Sequence, residues 1–267
     1  FNNLYIFGTA GEGYAVSSTQ FKEIVGVFGE ETAIDGVHPM VCIIAMSTAQ
    51  VVERIGIAHD LGFRVFQITL PSWEPLRDEE VMTYFKDVCG SFPDSKFLHY
   101  NLGRSSRILN GSDYRRLEYA EPNFVGTKTL WDASISGIFE VATMTSELQH
   151  FYQEASFPYA CMLGECSMLS GYGSLFPTKI KKMFQYGITG QTEKAFELSV
   201  QLERVVAAMM APARDYNRID GVFDKMIVRA SGIDIPLKMQ SPYKSVPEDV
   251  YEACVAALQK QFPEWPG

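Results

Sequence analysis

Short apolar runs alternate with longer stretches of helical period from the first residue to about residue 178. The runs at 4–7, 41–46, 64–70, 96–101, 123–128, 148–153 and 166–173 read as strands, being rich in β-branched and aromatic residues and bounded by turn formers. Helical spacing fills the intervals near 18–29, 48–61, 78–90, 112–120, 133–144 and 157–163. Several of the strands are apolar throughout rather than alternating. That is the signature of a parallel sheet covered by helices, an α/β fold.

Seven strands, the first beginning abruptly at the chain start, suit a (β/α)8 TIM barrel that lacks its first β/α unit in this sequence. An open doubly wound sheet is the alternative. After residue 178 the strand pattern stops. Helical patterns follow near 178–187, 191–210, 217–232 and 247–260, with GIDIP and SPYKSVP breaking the last ones apart. The expected organisation is therefore a barrel over residues 1–190 and a C-terminal helical extension over 191–267. No internal repeat or low-complexity segment interrupts this pattern.

Composition narrows the function classes. The 267 residues are 46% hydrophobic and 21% charged, with a formal charge of −9, which argues against a nucleic-acid partner. The basic cluster KIKK (179–182) reads as a solvated helix face. Five cysteines (Cys42, Cys89, Cys161, Cys166, Cys254) show no C-x-x-C pair, and four histidines show no H-x-x-x-H spacing. That usage reads as reduced thiols in a cytoplasmic protein, with no metal expected. No apolar run approaches the ~18 residues that span a bilayer.

Lys128 is the most informative residue, a lone charge in the otherwise uncharged NFVGTKTL. Strand alternation puts Gly126 and Lys128 on one face. Facing into a barrel, the amine would lie near the C-terminal rim, where desolvation lowers its pKa and Gly126 leaves room for a substrate. The alternative is a strand-end lysine reaching to solvent. Tyr100, at the end of KFLHYN, can relay protons from a rim or simply pack.

The glycine-rich FGTAGEG (7–13) resists a dinucleotide reading. Gly8, Gly11 and Gly13 are spaced G-x-x-G-x-G, not G-x-G-x-x-G, and the next helix waits for its cap in SST (17–19). Thr9 offers a hydroxyl and a backbone amide at a strand end, which suits a small carboxylate. Trp73 and Glu74 follow another strand end, and Arg104 and Arg107 follow Tyr100, where either could pair with an anionic substrate or stay solvated. Glu154 and Glu165 lie near the last two strands, with nothing to pair them as an acid/base couple.

In this order the motifs resemble the dihydrodipicolinate synthase / N-acetylneuraminate lyase family of class I, pyruvate-type aldolases. GTAGE (8–12) is similar to the family's carboxylate turn, YN (100–101) to its strand-end tyrosine motif, and VGTKT (125–129) to its Schiff-base segment. LGECSMLSGYGSLFP (163–177) resembles the last barrel strand and its flanks.

The resemblance implies an imine between Lys128 and a 2-oxo acid, with Tyr100 as proton relay and Thr9 in the carboxylate turn. Ala10, Gly11, Glu12, Trp73, Arg104, Arg107 and Leu169 would line the substrate site, Leu169 through its carbonyl. No cofactor is implied, and the expected assembly is a homodimer or homotetramer. Three departures point away from lysine-pathway synthase and toward a related lyase, a dehydratase of sugar-derived 2-oxo acids, or a catalytically reduced 2-oxo-acid-binding protein on the same barrel. Ala10 replaces a second hydroxyl, Trp73 aligns with the tyrosine lent across the synthase dimer, and YNLG lacks the synthase proline.

Overall fold

The structure, a computed structural model, describes residues 1–129, 135–144 and 147–266. The chain forms two compact units, Phe1–Phe151 and Tyr152–Gly267. In the first, strands β1 (Asn3–Ile6), β2 (His38–Ile43), β3 (Val65–Ile68), β4 (Lys96–Asn101), β5 (Phe124–Thr129) and β6 (Gln149–Tyr152) alternate with helices α1 (Ser18–Thr32), α2 (Thr48–Asp60), α3 (Asp78–Ser91), α4 (Gly111–Ala120) and α5 (Ile135–Met144). The first two residues of the helix expected at 133–144 lie outside the described residues.

The sheet runs in chain order, β1 to β7, and the pairs from β1–β2 through β4–β5 are parallel. A doubly wound sheet reverses its strand order at a switch point, and this one does not. Successive right-handed crossovers in one direction put the helices that link β1 to β5 on the same face, which is barrel-type winding.

Helix starts follow from capping. Ser17 accepts the Gln20 amide at 3.2 Å while the Gln20 side chain accepts the Ser17 amide at 3.0 Å, a reciprocal box that contributes about 1 kcal/mol. Ser47 caps α2 by accepting the Gln50 amide at 3.3 Å, while the Gln50 side chain accepts the Met46 amide instead. Val51, Ile55 and Ala58 then recur at helical spacing and are fully buried.

The helix-facing side of the sheet is aromatic. Phe66 stacks on Phe97 at 5.9 Å, and Phe85 meets both His99 and Phe124 edge-on. Two buried polar pairs lie among them, His99 Nδ1 with the Tyr114 hydroxyl and His150 Nδ1 with the Thr127 hydroxyl, each at 2.8 Å.

The register of β5 against β4 slips by one residue. Phe97 pairs with Phe124 but Leu98 pairs with Gly126, so Val125 is a bulge. Counted onward without that slip, residue 128 would oppose Asn101 and face the helices. With it, Lys128 pairs with Tyr100 on the inner face.

Gly126 has a different reason from the one its sequence suggests. A Cβ there would stand 2.6 Å from the Gln149 carbonyl oxygen and 3.4 Å from Leu98 Cγ, so β6 rather than a substrate occupies the space. Gly126→Ala is therefore expected to force β5 and β6 apart at a cost of about 2–3 kcal/mol. Thermal unfolding checks this, and an unchanged melting temperature would refute it.

The second unit carries a two-residue strand, β7 (Ser167–Met168), joined to the end of β6 through Leu169 N–H donating to Tyr152 O at 3.0 Å. The strand expected over 166–173 is shorter because the chain turns at Ser170, whose hydroxyl donates to the buried Glu154 carboxylate. The Tyr172 amide donates to the same oxygen at 3.1 Å. Glu154 is thus a buried structural acceptor for this turn.

Helices α6 (Phe157–Cys161), α7 (Pro177–Ile188), α8 (Thr192–Met210), α9 (Asp220–Ala230) and α10 (Glu248–Gln261) complete the unit. The Sγ atoms of Cys161 and Cys166 lie 3.6 Å apart, a thiol pair brought together by the turn after α6 and invisible in the spacing. In the KIKK cluster, Lys179 lies over the Trp265 ring and Lys182 over Tyr186. Among the described residues no helix is long and apolar enough to cross a membrane.

Candidate active site

The glycine turn that follows β1 is tightly knotted. The Gly11 amide donates to Gly8 O at 3.0 Å, Glu12 N–H to Thr9 O at 3.2 Å and Ala15 N–H to Glu12 O at 2.8 Å. Phe7 and Glu12 both take left-handed backbone angles, with φ of 64° and 55°. Gly13 is small because a Cβ there would stand 2.7 Å from Phe7 Cβ.

Arg54, on α2, clamps the flank of this turn. Its guanidinium donates to Gly13 O at 2.6 Å, Val16 O at 2.7 Å and Ile44 O at 3.1 Å, tying the turn to the end of β2. Burial lowers the Arg54 pKa from its ordinary value, with Glu53 acting the other way. One cation thereby serves three main-chain carbonyls.

Thr9 is buried at 5% exposure, and among the described residues its Oγ1 makes no hydrogen bond of full geometry. It lies near enough to the Tyr100 hydroxyl to favour that phenol's ionised form, a looser contact than a formed hydrogen bond. Ala10 and Gly11 lie at the more exposed crest of the turn, while Glu12 is buried beneath it.

Lys128 and Tyr100 meet on the inner face. The lysine is 3% exposed and the tyrosine 4%. Lys128 Nζ stands 4.2 Å from the centre of the Tyr100 ring and donates to the Tyr5 hydroxyl at 3.0 Å. Among the described residues no carboxylate is paired with this ammonium.

The expectation that burial lowers the Lys128 pKa needs correction. Burial does pull it down, but Tyr5 and Tyr100 together outweigh that, and the net shift is upward. Tyr100 is itself raised, first by burial and against the opposing pull of Lys128. Cys42 also faces the amine, and its buried thiol is pushed up to about 12. The resting site therefore holds a cation between two phenol rings and beside a neutral thiol.

The loop after β4 is pinned by Asn101, second residue of the YN pair. Its side chain donates to Leu109 O at 2.8 Å and accepts the Leu109 amide at 3.0 Å, both buried. Arg107, in that loop, donates to Leu76 O at 2.5 Å and pairs with Asp78 at 2.7 Å and Asp113 at 3.3 Å. Its guanidinium is engaged in holding the loop to the start of α3. Arg104 is exposed in the short turn before it. Trp73 is 84% exposed. Leu169 is half-buried in the second unit, its amide donating to the end of β6.

The structure thus gathers Lys128, Tyr100 and Thr9 and adds Tyr5, Cys42 and Arg54, which the sequence reading passed over. Tyr5 stands two residues before Phe7 in an apolar run, where a tyrosine reads as packing. The lone arginine of α2, Arg54, about two turns beyond the Ser47 cap, was the available signal for a clamp.

The family model of the Dihydrodipicolinate synthetase family matches residues 1–261. Solved structures agree in fold at low identity. YagE, a prophage protein of the dihydrodipicolinic acid synthase family from E. coli K12 in complex with pyruvate, superposes with a TM-score of 0.85 at 15% identity, covering 97% of this chain and 86% of that one. Dihydrodipicolinate synthase from Aquifex aeolicus gives 0.85 at 15%, covering 99% and 87%. CdNal from Clostridium difficile, in complex with mannosamine, gives 0.85 at 14%, covering 98% and 87%. With its barrel-type α/β winding and a family match over nearly its whole length, the chain belongs to the dihydrodipicolinate synthetase family.

Proposed function

We propose that the protein is a Schiff-base lyase acting on pyruvate or a related 2-oxo acid through Lys128. The observation that carries this reading is a buried lysine amine, paired with no carboxylate among the described residues, set between two phenols at the end of β5. A lysine kept for stability alone would be expected to reach water or a carboxylate.

In this mechanism the ammonium first gives up a proton, and the free amine adds to C2 of the oxo acid. The carbinolamine loses water to form the imine, an electron sink through which a C–C bond or a β-proton is broken to leave an enamine. Tyr100 relays protons between the leaving group and the enamine carbon. The Thr9 hydroxyl and the amides of the 9–10 turn receive the substrate carboxylate, with the crest residues Ala10, Gly11 and Glu12 shaping that pocket. Arg104 is the candidate second anion contact, since Arg107 already serves Asp78 and Asp113.

Pyruvate in the YagE structure and an amino sugar in the CdNal structure support a 2-oxo acid as one partner and a sugar-derived compound as the class of the other. Ala10 and the exposed Trp73 favour this over lysine-pathway synthesis, because both stand where the synthase resemblance calls for a hydroxyl. Leu169, the catalytic span 1–190, the helical extension 191–267 and a homodimer or homotetramer belong to the same reading.

The test is direct. Incubation with pyruvate and borohydride should add the reduced pyruvyl group to the peptide carrying Lys128. Absence of any adduct with a panel of 2-oxo acids would overturn the reading.

A further inference from the structure

Tyr5 stands in the middle of β1, 123 positions from the lysine it touches, and the turn after it is built around its ring. A Cβ on Gly8 would lie 3.0 Å from Tyr5 Cε2 and 3.1 Å from its hydroxyl oxygen, so the first glycine of GTAGE leaves the space that this phenol fills. The phenol oxygen accepts from Lys128 Nζ at 3.0 Å, while the Tyr100 ring covers the amine from β4 at 4.2 Å.

A lysine ends in four rotatable bonds, and a nucleophile must be aimed to within a few tenths of an ångström. The described contacts leave two groups to do the aiming here. Tyr100 offers a ring face, which attracts the charge without fixing a direction. Among the described residues only Tyr5 offers an acceptor lone pair at hydrogen-bond distance.

We propose that Tyr5 is the positioning residue for Lys128: its hydroxyl aims the amine and sets the pH at which that amine becomes a nucleophile. The inference rests on the Schiff-base reading for its consequence in catalysis, but the contact itself does not depend on it. The titratable groups facing Lys128 from the packed strands are Tyr5 on β1, Cys42 on β2 and Tyr100 on β4. Cys42 and Tyr100 both have raised pKa values and stay neutral near pH 7. The Tyr5 hydroxyl accepts from the ammonium and so favours the charged form. Without it burial, which disfavours the charge, has more weight, and the proton leaves at lower pH.

Tyr5→Phe keeps the ring and removes the acceptor. The rate of pyruvate trapping by borohydride, followed at the Lys128 peptide across pH, should have its midpoint moved down by about one unit. The plateau rate should drop about tenfold from lost aim. Competitive acetylation of Lys128 by acetic anhydride measures the same midpoint with no substrate present. Tyr5→Leu, lacking the ring as well, should show the same downward shift. Midpoints that coincide with the wild type by acetylation overturn the role of Tyr5, whatever the trapping shows. A shifted acetylation midpoint in a protein that forms no adduct keeps the positioning role and overturns the Schiff-base reading instead.

Discussion

Lys128→Met is expected to abolish the borohydride-stable adduct and to lower turnover of any substrate by more than about four orders of magnitude. The side chain has nearly the same length and no nucleophile. The accompanying stability change separates a working amine from a structural one. A buried cation with no carboxylate partner among the described residues carries a desolvation cost that the two phenols offset, so a buried apolar replacement of similar length should be close to neutral. Melting should stay within a few degrees of the wild type. A strongly destabilised Lys128→Met protein would show that the phenols and the lysine hold β1, β4 and β5 together, and that the charge is part of the fold. Lys128→Arg gives the complementary arm, keeping a cation while removing an amine able to form an imine.

Much of the scaffold was legible because apolar runs and capping residues act locally. The strand seeds of β1 through β6 and the Ser17 cap fall where the pattern places them, within a few residues. What the pattern could not show is register. The Val125 bulge turns Lys128 from the helix side to the inner face, and no local propensity marks it.

Close approaches between distant segments were hidden for the same reason. Gly126 is small because of a carbonyl on β6, and Gly8 because of the Tyr5 ring. Arg107 pairs with Asp78, 29 residues away, and nothing in NLGRSSRI announces that partner. The sense of the Lys128 shift was missed because it depends on what the amine touches, and the sequence tells only that it is buried.

The helix-facing side of the sheet makes its own claim, that this protein loses stability in mild acid well before its carboxylates protonate. His99 is fully buried, bonded through Nδ1 to Tyr114, with Nε2 buried and without a hydrogen-bond partner among the described residues. Burial lowers its pKa to about 3. His150, bonded to Thr127, is lowered to about 4 by burial, with Glu118 opposing. Both are bases whose folded pKa lies below the unfolded value of about 6.5. Between those values the unfolded chain binds protons that the native one refuses, so stability falls as pH drops below about 6.5.

Two such protons give a limiting slope of about 2.7 kcal/mol per pH unit, or on the order of 5 kcal/mol by pH 4.5. That approaches the whole stability of an ordinary domain. Asp78 and Asp94, whose pKa values are lowered by their cationic partners, add loss in the same direction only at more acid pH. Urea unfolding at pH 7.5, 6.0 and 4.5 measures the effect. The double variant His99→Leu with Tyr114→Phe removes both halves of one buried pair and should roughly halve the slope. A stability that stays flat from pH 7.5 to 5 would mean that the two imidazoles reach water, or find acceptors for a second proton, and that the aromatic layer is looser than its packing implies.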